Sequence, residues 1–130
     1  MLEPDLLAFI RTSIPSIWAL ELLLLLRRSA PAALTRDELV QRLRATPTLI
    51  DRLVDQLAAG GVVARDPAGA IRFECSTLEL RNVCDLLDAA AMDRPIALRD
   101  AISASPNDKL RNFADAFRFK GPDKDKGEGK

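Results

Sequence analysis

The densest run of residues able to do chemistry lies between Arg36 and Arg65. Thr46, Thr48, Asp51, Arg52, Asp55 and Gln56 follow one another at helical spacing, with Arg36 and Arg44 before them and Arg65 after. Arginine forks and glutamine amides match base edges in a nucleic-acid groove, so Arg52 and Gln56 suit base contact. Arg36, Arg44 and Arg65 suit phosphate oxygens, which ask only for a cation within reach. Asp51 and Asp55 pull the other way. A carboxylate accepts from cytosine N4, yet two of them beside a polyanion lower its affinity. The plainer account of the same residues is a solvated helix face on which Asp51 and Asp55 form local ion pairs with Arg52.

Other constellations are poorer. Asp85 and Asp88 stand three apart, a spacing that serves acid–base or magnesium chemistry in a cleft; without a phosphate-binding loop they read as solvated charge on an outer helix face. Cys75 and Cys84 belong to no C-x-x-C or Cys/His set, so zinc and iron–sulfur ligation lack ligands and the two thiols read as core packing. A redox role would need a cation that favours thiolate, and Arg72 or Arg81 is the nearby candidate. Histidine and tyrosine are both absent. With no histidine base, glycine-rich phosphate loop or nucleophile elbow, neither catalysis nor a cofactor is expected.

The elements that would position the Arg36–Arg65 residues follow from caps and periodicity. Pro4 and Pro15 bracket a short first helix containing Leu6, Leu7, Phe9 and Ile10. From Ser16 to Arg28 the chain is apolar nearly all round and closes on Arg27 and Arg28, as a central core helix should. Its strongly apolar stretch, IWALELLLLL, contains Glu21 and is far shorter than the ~20 residues that span a bilayer, so no membrane partner is expected. A short strand is expected at Ala32 to Leu34. Thr35 and Glu38 then form a capping box that opens a helix with Leu39, Val40 and Leu43 inward. After the turn Arg44-Ala45-Thr46, Thr46 caps a second helix with Pro47 at its first position. Ile50, Leu53, Val54 and Leu57 recur at i, i+3, i+4, i+7, which turns Thr48, Asp51, Arg52 and Asp55 outward. Gly60 and Gly61 are read as left-handed stops, and the chain continues into a β-hairpin around Asp66-Pro67-Ala68-Gly69.

Farther on, Ser76 and Glu79 read as a second capping box before a helix to about Met92, with Leu80, Val83, Cys84 and Leu87 inward. Pro95 starts a short helix to about Ser103. Ser105 and Pro106 start another, with Leu110, Phe113, Ala114 and Phe117 on one face. Phe113, Phe117 and Phe119, with Trp18, are candidates to line an effector pocket and otherwise pack. The expected core is Ile17, Leu20, Leu24, Leu39, Leu43, Ile50, Leu53, Val54 and Leu57. Residues 1–119 are read as one domain, with a core at 16–75 and a helical annex at 76–119; the glycine- and charge-rich residues 120–130 are expected to be disordered.

Helix, short strand, helix, turn, helix and hairpin is the order of the winged helix-turn-helix fold. The stretch TRDELVQRLRATPTLIDRLVDQLAAGGVVARDPAGAIRF resembles the DNA-binding domains of short-winged bacterial regulators of the IclR and Rrf2 kind. It is also similar to the winged-helix dimerisation domains at the front of small-molecule methyltransferases. The resemblance implies a mainly α-helical winged helix with a β-hairpin wing and extra N- and C-terminal helices. It further implies a homodimeric transcriptional regulator whose partner is double-stranded DNA. Apolar stripes on the flanking helices support the dimer, since such stripes need burial within or between subunits. Charge argues for restraint: 19 basic and 19 acidic residues cancel over the chain, and Ser16 to Cys75 holds eight arginines against seven Asp and Glu. The alternative is a winged helix that docks another regulatory protein and binds no DNA. An enzyme fragment like the methyltransferase front domain is disfavoured, because no catalytic domain follows. Two cysteines without a secretory pattern are read as cytoplasmic.

Overall fold

A computed structural model describes residues 2–103. The helix expected from Ser105, the aromatic residues Phe113, Phe117 and Phe119, and the tail at 120–130 lie outside these residues. Among the described residues the chain is mainly helical, with one two-stranded antiparallel hairpin. The order is α1 (Pro4–Ser13), α2 (Ile17–Ser29), α3 (Arg36–Leu43), α4 (Pro47–Ala59), β1 (Val63–Arg65), β2 (Ile71–Phe73), α5 (Leu78–Asp93) and α6 (Pro95–Ser103).

Local chemistry accounts for most boundaries. Ser16 caps α2 by accepting from the Ala19 amide at 3.2 Å, a serine here outcompeting water for an orphan helix donor. Thr35 and Glu38 form the reciprocal capping box at α3. At α5 the cap is Thr77, not Ser76: Thr77 Oγ1 accepts from the Leu80 amide at 3.1 Å, and the expected Ser76–Glu79 box does not form. Ser76 instead lies in the bend before the helix, where its amide donates to the Gly61 carbonyl at 2.8 Å. Only one of the two glycines after α4 is left-handed. Gly60 keeps helical backbone at φ −77°, while Gly61 has φ +80° and a Cβ there would stand 2.6 Å from Ser76 Oγ.

The expected strand at Ala32 to Leu34 is reduced to a single bridge, Leu34 to Ile71, closed by two backbone hydrogen bonds of 2.8 Å. In the hairpin, Val63, Ala64 and Arg65 face Phe73, Arg72 and Ile71. Asp66 organises its turn by accepting from the amides of Ala68 and Ala70 at 3.0 and 2.9 Å.

One continuous core runs through all of these elements. Leu20, Leu24, Leu39, Ile50, Leu53, Val54 and Leu57 are buried as expected, whereas Ile17 and Leu43 are only half-buried at its edge. The flanking helices are part of that core rather than an annex to it: Leu6 and Ile10 of α1, Leu87 of α5, and Leu98 and Ile102 of α6 are fully buried. Helix α1 packs on α5 and α6, so the apolar stripe of the N-terminal segment is covered within the chain. Among the described residues no single helix is long and apolar enough to cross a membrane; α1 and α2 pass that test only as a pair, and they are bent by 109°.

Candidate functional site

The face read from the sequence is assembled by three elements: α3, α4 and the hairpin. Helix α4 buries Ile50, Leu53, Val54 and Leu57, and this fixes which of its side chains point away from the core. Thr48, Arg52 and Asp55 are exposed, and Asp51 is half-buried at the border towards α3.

The carboxylates of α4 are paired, but not with Arg52. Asp51 Oδ2 accepts from Arg36 Nη2 of α3 at 2.8 Å, and Asp55 Oδ1 accepts from Arg65 Nη2 of β1 at 2.8 Å. The local pairing expected within α4 is therefore replaced by two pairs between elements. The reason is reach: α3 and β1 both pack against α4, and each brings one guanidinium alongside an aspartate on the adjacent border of that helix. Two of the three arginines assigned to phosphate thus already have an anionic partner. Arg44 and Arg52 are exposed and form no ion pair among the described residues.

The remaining positions divide further. Thr46 is spent on structure, its Oγ1 accepting from the Leu49 amide at 3.1 Å to cap α4. Gln56 does not belong to the reading face. It lies seven positions from Leu49, on the same border row of the helix, and its Oε1 is buried with no hydrogen-bond partner among the described residues. Arg44 closes α3 in left-handed backbone at φ 55°, ψ 44°, a conformation that costs a residue with a Cβ about 1 kcal/mol. The capping box has its own electrostatic signature: hydrogen bonds from the Thr35 backbone, then its side chain, hold the Glu38 carboxyl below its ordinary pKa.

A second charged cluster, missed from the sequence, joins α2 to α5. The Arg27 guanidinium bridges Asp85 and Asp88, and Arg28 Nη2 reaches Asp88 at 2.7 Å. Asp85 and Asp88 are thus ion-pair partners rather than solvated charge, and the hydrogen bond to Asp85 raises the pKa of Arg27 above its ordinary value. Their three-residue spacing was the only local hint. The partners lie about sixty positions away in sequence, beyond any periodicity argument. No group of three or more His, Cys, Asp or Glu side chains gathers to hold a metal ion among the described residues. A groove between α2 and α6 is lined by Leu20, Glu21, Leu24, Arg28 and Leu98, and Trp18 is not part of it.

Comparison of the chain with known protein families, with curated proteins and with solved structures yields no match.

Proposed function

We propose that this protein is a winged helix-turn-helix regulator that binds duplex DNA as a homodimer, with α4 in the major groove and the β1–β2 hairpin as its wing. The observation that carries this reading is the charge left on the α4 face. Asp51 and Asp55 are compensated by Arg36 and Arg65, so the residual field comes from Arg44 and Arg52, with Thr48 beside them as a polar contact. Arg52 is the base-edge donor and Arg44 a phosphate contact. Arg36 and Arg65 exchange an aspartate for a phosphate only at the cost of a surface pair, a small sum on each side. In the dimer, the exposed apolar side chains of α5 and α6, Leu78, Met92 and Ile96, meet their copies.

The near-neutral balance of Ser16 to Cys75, eight arginines against seven acidic residues, favours a second reading, a module that docks another regulatory protein. A salt-titrated binding assay on random duplex DNA separates the two. For a regulator, Arg52→Ala weakens specific binding by about 1 to 3 kcal/mol, whereas Arg44→Ala weakens all duplexes alike and reduces the salt slope by about one. Absence of binding at low salt in the wild type, unchanged in Asp51→Asn and Asp55→Asn, replaces the regulator with the docking module. A monomer in sedimentation at micromolar concentration removes the dimer.

A further inference from the structure

We propose that Cys75 and Cys84 are an oxidisable dithiol that closes to an intramolecular disulfide when a peroxide reaches Cys75. The two Sγ atoms lie 4.0 Å apart, across the seam between the chain leaving the hairpin and helix α5. Both sides of that seam are held. The residues flanking Cys75 are pinned by backbone hydrogen bonds, Glu74 N–H to Val62 O at 3.0 Å and Ser76 N–H to Gly61 O at 2.8 Å. Cys84 sits inside α5, whose neighbouring Asp85 is tied to Arg27 of α2. A disulfide needs the sulfurs about 2 Å apart, and the remaining gap is of the size that a side-chain rotation covers.

Access is asymmetric in the way a two-step oxidation requires. Cys75 is half-buried and reachable by a small oxidant, while Cys84 is fully buried in the core with Cys75 as its sulfur neighbour. Burial raises the pKa of both thiols, so the reduced pair packs as protonated, apolar volume, and Cys75 reacts slowly, through the minor thiolate form that the nearby Arg81 favours. In the first step the Cys75 sulfur attacks a peroxide oxygen, the O–O bond breaks, and one water leaves with formation of a sulfenic acid. In the second, the Cys84 sulfur attacks the Cys75 sulfur; the S–S bond forms, the S–O bond breaks, and the Cys84 proton departs with a second water. Two thiols lose two electrons and two protons, and hydrogen peroxide becomes two waters.

Trypsin makes the product easy to read. Cleavage after Arg72, Arg81 and Arg99, the Arg94–Pro95 bond resisting trypsin, puts Cys75 on Phe73–Arg81 and Cys84 on Asn82–Arg99, so the disulfide joins two otherwise separate peptides. The native full chain is treated with hydrogen peroxide, any remaining thiols are alkylated, and the digest is mapped by mass spectrometry without reductant. The expected result is loss of both thiols together, a chain lighter by two hydrogen atoms, and one linked peptide pair that separates on reduction. In Cys84→Ala, Cys75 then carries a sulfenic acid trapped by dimedone, an adduct missing from the wild type. Overoxidation of Cys75 with the two peptides still separate overturns the proposal, as does a disulfide found only between two chains. The wild-type map decides the matter even where Cys84→Ala does not fold. Sulfoxide formation at the exposed Met92 reports that oxidant was in excess.

Discussion

Arginine meets aspartate in two regions of this molecule, and the surroundings differ. On the α4 face, Arg36 and Asp51 are about half exposed at 50% and 49%, and Asp55 is 69% exposed against Arg65. At the seam between α2 and α5, Asp88 is 13% exposed and Arg27 is 27% exposed, with Arg28 closing the cluster. The chemistry of the pairs is the same, but water reaches both partners of each pair in the first set, whereas in the second Asp85 and Arg28 face water at 56% and 52% and only Asp88 and Arg27 are shielded. An exposed pair contributes little and is exchangeable for another anion; a partly buried cluster holds its elements together because a single loss leaves a charge without compensation. The eight arginines of Ser16 to Cys75 are therefore not eight equivalent cations. Arg27 and Arg28 belong to the architecture, while Arg44 and Arg52 are available to a ligand.

The largest effect is expected from the support common to both regions. Leu53→Ala removes a buried branched side chain of α4 and costs about 2 to 5 kcal/mol in urea unfolding. A value within error would mean that the outward row of α4 is misassigned. Asp88→Ala strips two arginines of a partner and is expected to cost about 1 to 3 kcal/mol. An effect no greater than at the α4 face would erase the distinction between the two regions.

Alkaline titration probes the seam from another side. The Cys84 thiol is raised by burial, so above about pH 8.5 the unfolded chain ionises before the folded one does. Stability present below that pH falls as pH rises, by at most about 1.4 kcal/mol per unit for this thiol. Urea midpoints under reducing conditions measure the fall, and Cys84→Ala should flatten it. The smallest effects belong to the exposed pairs. Asp51→Asn and Asp55→Asn should each change stability by less than about 1 kcal/mol while tightening non-specific DNA binding at low salt, because each releases Arg36 or Arg65.

The legible parts of this structure rest on neighbours in sequence. The Thr35–Glu38 box, the Thr46 cap with Pro47 behind it, and the buried row from Ile50 to Leu57 all depend on contacts within about four positions, so residue types alone define them. The Ser76–Glu79 expectation failed by one residue for a related reason. Ser76 and Thr77 are both competent caps, and the choice fell to Thr77 because the Ser76 backbone is engaged by Gly61 across the chain. Gln56 was misread where the helix pattern is weakest, at the border between rows, where the packing of neighbours decides which way a long side chain turns.

The order of the helices and hairpin, the phase of α4 and the outward turn of Thr48, Arg52 and Asp55 were determined by the sequence alone, through caps and a 3.6-residue period. Which cations remain on that face was decided only by tertiary structure. Arg36 and Arg65 come from α3 and β1, and packing brings them beside Asp51 and Asp55. Arg27 meets Asp85 and Asp88 across 58 and 61 positions of chain, and Cys75 meets Cys84 where the hairpin exit crosses α5. Local propensity carries no information on such pairs, since their free energy depends on burial and reach that arise when the shared core closes.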